Sequence, residues 1–180
     1  MTKRFLIVCL IAYGVFFFLI FPNFWGYVME ASMSAFTLQP IGTVRKDGDK
    51  TRLVVNEACK DGLLGLEDFS HVYLYFWFDK NDTPDKRAIL RVHPMGNPSN
   101  PLTGVFATRS PVRPNLIGMT LVRVLGVSGN TVEIDWIDAL DNTPIIDIKP
   151  FIPTIDCADS PTIPMWLGGD GWVKGPKRSS

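Results

Sequence analysis

His71-Val72-Tyr73-Leu74-Tyr75-Phe76-Trp77-Phe78 is the stretch that decides the fold class. Almost every position is aromatic or β-branched, which predicts a strand. Its apolarity is nearly continuous, so both faces should be covered. Outward from it, strands are expected at residues 37–44, 52–56 and 88–92, with a polar turn at Lys46-Asp47-Gly48-Asp49. Residues 61–69 hold two glycines and several leucines and suit a loop with one helical turn. Residues 121–127 and 131–136 flank Ser128-Gly129-Asn130, read as a three-residue hairpin loop because glycine and asparagine accept positive φ. Residues 145–148 close the series. Fourteen prolines and fifteen glycines argue against long helices. Many short strands parted by turn signals predict an all-β domain, closed or sandwiched.

The N-terminus is different in kind. Lys3 and Arg4 precede an uncharged apolar run over residues 5–21, which continues past Pro22 through Trp25, Tyr27 and Val28. That length predicts a hydrophobic helix, transmembrane or signal-like, with membrane association through residues 5–28. Trp25 and Tyr27 would suit the headgroup level, and Lys3 and Arg4 the cytoplasmic side. Such an anchor would put the domain outside the cell. A translation start at Met33 would instead make the protein cytoplasmic. The expected organisation is a hydrophobic segment over 1–33, a β domain over 34–156 and a C-terminal tail over 157–180.

Charge and composition narrow the function classes. The formal net charge is zero, from 18 basic and 18 acidic residues. A general grip on nucleic acid needs a basic excess, so any RNA contact must be local. Arg109, Arg113 and Arg123 form one candidate patch, and Lys174, Lys177 and Arg178 another. Cys59 and Cys157 show no metal spacing. With only His71 and His93 besides, no metal site is expected. No glycine-rich nucleotide loop or nucleophile elbow precedes a helix, which argues against a Rossmann-type nucleotide site.

Two segments mix charge, turn formers and apolar residues as a binding wall would. One spans residues 104–118, Gly-Val-Phe-Ala-Thr-Arg-Ser-Pro-Val-Arg-Pro-Asn-Leu-Ile-Gly. The other spans residues 138–151, Asp-Ala-Leu-Asp-Asn-Thr-Pro-Ile-Ile-Asp-Ile-Lys-Pro-Phe. Together they resemble the hallmark blocks of the TrmO, or TsaA-like, family. Residues 65–71 and 41–44 look like further landmarks, and the resemblance covers roughly residues 38–153. Three positions depart from the hallmark: Leu116 replaces a proline, Asn142 a glycine and Phe151 a tyrosine. Residues 45–50 stand where many members carry a long loop.

The resemblance implies a small closed β-barrel that dimerises. It also implies an S-adenosylmethionine-dependent methyltransferase acting on N6 of threonylcarbamoyladenosine in the tRNA anticodon loop. The alternative from another class is a membrane-tethered or exported binding module that keeps the barrel without the chemistry. By resemblance, Phe78, Asp79, Arg109, Leu121, Asp138, Ala139, Leu140 and Asp141 would meet the cofactor, and Arg113, Asn115 and Lys149 the substrate. A catalytic base is not identified.

Residue chemistry leaves choices open. The Arg109 guanidinium fork suits a carboxylate or phosphate, or a structural ion pair with Asp138, Asp141 or Asp147. Arg113 reads as a phosphate contact or a solvated loop arginine. Asp141 reads as a pocket wall or a turn cap. The Asp147–Lys149 segment reads equally as an edge-strand ion pair. Asn142 tolerates the left-handed φ that a glycine there would take.

Overall fold

The computed structural model describes residues 36–168. Six antiparallel strands close into a barrel. They are β1 (Gly42–Asp47), β2 (Lys50–Val55), β3 (His71–Trp77), β6 (Ile117–Ser128), β7 (Thr131–Ile134) and β8 (Pro144–Pro150). Around the barrel the order is β1-β2-β7-β6-β3-β8. β8 returns to β1 through the pairs Gly42↔Ile145 and Thr43↔Pro144. β4 (Arg91–Val92) and β5 (Thr103–Gly104) form a separate two-stranded sheet.

β3 explains why the barrel closes. Val72, Leu74 and Phe76 point inward and are at most 4% exposed. They join Val44, Leu53, Val122, Ile134 and Ile145 in one buried cluster. Each such side chain gains roughly 1.5–3 kcal/mol on leaving water. The outward face of β3 is only partly covered. Tyr73 meets Phe151 edge-on, with centroids 5.8 Å apart, and the Arg87 guanidinium lies over the Trp77 ring. The continuous apolarity of this strand therefore reflects one dry face and one aromatic, half-buried face.

Several expected boundaries move, each for a local reason. The first strand begins at Gly42 rather than residue 37, because Pro40 has no N–H to donate. Ile41 N–H makes the first bond across to Ile145 O, at 2.8 Å. The strand expected at 88–92 shrinks to Arg91–Val92. Thr83 caps α1 (Pro84–Arg87), and Ala88 N–H still donates to Pro84 O at 3.0 Å, so the helix takes that residue. The hairpin loop has two residues, not three, since Ser128 pairs with Thr131. Gly129 alone takes positive φ, at 61°, while the Asn130 amide donates to Val55 O at 2.7 Å. β7 stops at Ile134 because the Asp135 carboxylate, at 2.9 Å, accepts the Arg123 N–H in place of a strand carbonyl. The loop expected over residues 61–69 is preceded and partly filled by two 3₁₀ turns, Glu57–Leu63 and Leu66–Asp68, with Gly65 at φ 80° before the second. Their Leu63 and Leu66 are buried in the core cluster.

The remaining helices, α2 (Pro153–Asp156) and α3 (Met165–Gly168), have four residues each. Among the described residues no helix is long and apolar enough to cross a membrane. The hydrophobic helix expected within 1–33, its membrane association through residues 5–28 and the basic tail Lys174, Lys177 and Arg178 lie outside the described residues. Cys59 and Cys157 are free thiols, the first half-buried and the second exposed.

Candidate functional site

β3, β6 and β8 bring Trp77, Ile117 and Pro144 to one mouth of the barrel, as the pairs Trp77↔Ile117 and Phe76↔Ile145 require. The segments that follow or precede those ends therefore meet there. They enclose a cavity of about 270 Å³. Its walls are Phe76–Asn81 at the end of β3, Arg109 and Pro111 from the first motif segment, and Asp138–Leu140 with Thr143 from the second. The two segments are thus neighbours in space.

Hydroxyl groups shape the first segment. Thr108 Oγ1 donates to Val105 O at 3.0 Å, and the Ser110 N–H donates to Thr108 Oγ1 at 3.2 Å. Val112 N–H donates to Ser110 Oγ at 3.3 Å. These local bonds satisfy loop backbone that no strand pairs. They leave Arg109 exposed on the cavity wall. Among the described residues no ion pair joins Arg109 to Asp138, Asp141 or Asp147. Leu116, where the family has proline, is fully buried, and its carbonyl accepts the Phe78 N–H at 2.8 Å. Phe78 in turn stands edge-on to Phe76, with centroids 5.2 Å apart. An aromatic floor results.

The second segment turns through Asn142, whose φ is 65°. Asn142 N–H donates to Val44 O at 2.8 Å, and its side-chain amide donates to Asp141 Oδ2 at 2.7 Å. Arg45 Nη1 donates to Asn142 Oδ1. Asp141 Oδ1 accepts the Lys46 N–H at 2.9 Å, and Lys46 Nζ donates to Ile137 O at 2.8 Å. The short residue 45–50 link thus braces this turn from outside.

Six of the eight residues expected at the cofactor line this cavity: Phe78, Asp79, Arg109, Asp138, Ala139 and Leu140. Asp141 faces the β1 backbone as a turn cap. Leu121 pairs with Tyr73, four residues back from Trp77 and roughly 13 Å along the strand. The expected substrate residues are placed apart. Arg113 Nη1 bends back to Thr108 O at 3.3 Å. Asn115 is exposed, and its carbonyl accepts the Ile117 N–H at 2.8 Å. Lys149 pairs with Asp147 at 2.7 Å, also level with Tyr73. That hydrogen bond raises the Lys149 pKa above its ordinary value.

A clamp that sequence reading missed supports the mouth. Asp82 accepts from Trp77 Nε1 at 3.1 Å and from Arg87 Nε at 2.7 Å. Arg87 also donates to Pro114 O at 2.8 Å. The Arg87 hydrogen bond, and then that of Trp77, hold the Asp82 carboxyl below its usual range. No sequence signal marks this trio, because its members belong to a strand end, a turn and a helix.

A larger cavity of about 1410 Å³ adjoins the first. Arg109, Pro111 and Asp138 line both. Its other walls are the β4–β5 connection with Arg91, His93 and Met95, the exposed ring of Phe106, and Ile163, Trp166 and Leu167 near α3. His93 Nδ1 lies 2.8 Å from Asn100 O. A carbonyl only accepts, so Nδ1 carries the N–H in this contact.

This geometry has counterparts. The family model described as the tRNA-methyltransferase O N-terminal domain matches residues 29–157. A probable S-adenosyl-L-methionine-binding protein of Pyrococcus horikoshii is 49% identical over 123 residues, covering 68% of this chain and 88% of that protein. The tRNA (adenine(37)-N6)-methyltransferase of Mus musculus is 46% identical over 94 residues, covering 52% of this chain and 21% of that protein. A crystal structure of TrmO from Pseudomonas aeruginosa superposes with a TM-score of 0.55 at 28% identity, covering 71% of this chain. The chain spans 61% of that solved structure.

Proposed function

The chain belongs to the family of the tRNA-methyltransferase O N-terminal domain, and we propose that it methylates tRNA, with S-adenosyl-L-methionine as methyl donor. The acceptor in this reading is N6 of threonylcarbamoyladenosine in the anticodon loop. The observation that carries it is the small cavity at the barrel mouth, where Arg109 meets Asp138–Leu140 above the Phe76–Phe78 floor.

The residues there suit such a donor. Phe78, backed by the buried ring of Phe76, offers an apolar and π-rich surface to a planar adenine or a sulfonium cation. Asp79 and Asp138 can accept from ribose hydroxyls or an ammonium group, and Arg109 can hold a carboxylate. When bound, the donor supplies a methyl already activated as a sulfonium, so N6 gains the C–N bond, sulfur keeps the C–S pair and N6 loses its proton. The chain's task is then chiefly to hold the acceptor nitrogen in line.

Arg113 and Lys149, the candidates for the substrate carboxylate, are engaged with Thr108 O and Asp147 respectively. A homodimer is the assembly this family reading favours. Sedimentation would test it. The tRNA substrate favours a cytoplasmic domain, which mass spectrometry of the native N-terminus would test.

The deciding experiment measures methyl transfer to tRNA with and without the threonylcarbamoyl group. Transfer only to the modified tRNA is expected. Equal rates on both would overturn the acceptor, and absence of transfer to either would overturn the activity.

A further inference from the structure

The family match ends at residue 157, yet the chain beyond it returns to the site. Ile163, Trp166 and Leu167 line the larger cavity together with Arg91, Phe106 and Arg109. This groove has a distinct chemistry. Phe106 is 78% exposed, and Trp166 is half-buried. Large aromatic side chains left open on one surface mark an interaction site. Two arginines accompany them, and Asp138 is the one carboxylate on the wall. A volume of about 1410 Å³ exceeds what a small ligand needs, roughly 300–1,000 Å³. Aromatic faces interleaved with arginines are what single-stranded nucleic acid requires, because bases stack and phosphates pair. Through Arg109 and Asp138 the groove opens directly onto the smaller cavity.

We propose that the C-terminal arm, residues 158–168, builds a nucleobase wall, in which Trp166 stacks on a nucleotide beside the methylated adenosine. Phe106 offers a second stacking face, and Arg91 takes a flanking phosphate. This rests on the tRNA reading and deepens it, since it assigns the site that holds the neighbouring loop nucleotides. Stacking is tolerant of base identity. The wall therefore positions the loop and leaves the choice of acceptor to the smaller cavity.

The test uses the full chain, a fluorescein-labelled anticodon stem-loop RNA and a loop-free duplex of equal length. Anisotropy reports RNA affinity and calorimetry reports S-adenosylmethionine affinity. The wild type should prefer the stem-loop. Trp166→Ala should weaken stem-loop binding about tenfold to a hundredfold, while Trp166→Phe keeps most of it because a ring face remains. Donor affinity should hold in both variants, and in transfer assays KM for RNA should rise with little change in kcat. Unchanged RNA affinity in Trp166→Ala overturns the wall, as does a loss of melting temperature without a loss of RNA affinity. Equal affinity of the wild type for duplex and stem-loop overturns it too. Selective stem-loop binding that depends on Trp166, without methyl transfer, would overturn the catalytic reading and leave the wall standing.

Discussion

The ring of Phe76 occupies the space that a side chain at Gly118 would need. The two are cross-strand partners on β3 and β6. A Cβ built on Gly118 would lie 2.5 Å from two ring carbons, where real contacts do not occur. Phe76 is 4% exposed, so its ring has little room to retreat. Gly118→Ala should cost about 1–3 kcal/mol by overpacking. It should also tilt the cavity floor, since Phe76 carries Phe78. Thermal unfolding should show a loss of several degrees, and calorimetry a weaker donor affinity. An unchanged melting temperature would mean that the ring moves freely.

Arg109→Ala separates recognition from stability. The Arg109 guanidinium is exposed and unpaired among the described residues, so the melting temperature should stay within a degree or two. Donor affinity or methyl transfer should fall about tenfold to a hundredfold, as loss of a charge-assisted hydrogen bond implies. Arg109→Lys should restore only part if the contact is bidentate. A lower melting temperature with unchanged binding would return Arg109 to a structural role.

Position 142 tests the turn that shapes the second motif. Asn142 holds φ at 65°, where a β-carbon costs about 1–2 kcal/mol for most residues. Its side chain compensates by bonding Asp141 and Arg45. Asn142→Gly removes both the strain and the bonds, so stability should stay close to wild type. Asn142→Ala keeps the strain and loses the bonds, and should be less stable than the glycine variant by about 1–2 kcal/mol. Chemical denaturation of the three proteins would show this order, and equal stabilities would refute it.

Asp82 sets an acid limb. Its folded-state pKa is depressed, chiefly by the Arg87 hydrogen bond and then by that of Trp77. A depressed carboxylate contributes stability above its unfolded value, about 3.9, and loses it as pH falls through the lower folded value. Wild type should therefore melt above Asp82→Asn at neutral pH, and the gap should close below about pH 3.9. A gap independent of pH would mean that packing, not charge, holds the clamp.

Sequence alone determined what depends on neighbours along the chain. β3 was legible because aromatic and β-branched residues fill almost every position of residues 71–78, and the β6–β7 hairpin because glycine at 129 accepts positive φ. The two motif segments stood out by their mixed chemistry, and Asn142 was legible as a residue able to turn left-handed. Tertiary structure alone decided which of these residues share a surface. Strand register carries Arg109 and Asp138 to one mouth of the barrel and leaves Leu121 and Lys149 half a strand away. Long-range hydrogen bonds turn Asp141 toward Lys46. A return of the chain after α2 brings Trp166 to the groove. Those outcomes follow from barrel closure, in which residues about a hundred positions apart, such as Gly42 and Ile145, become partners on adjacent strands. No local pattern encodes that pairing, because its free energy comes from burying the common core.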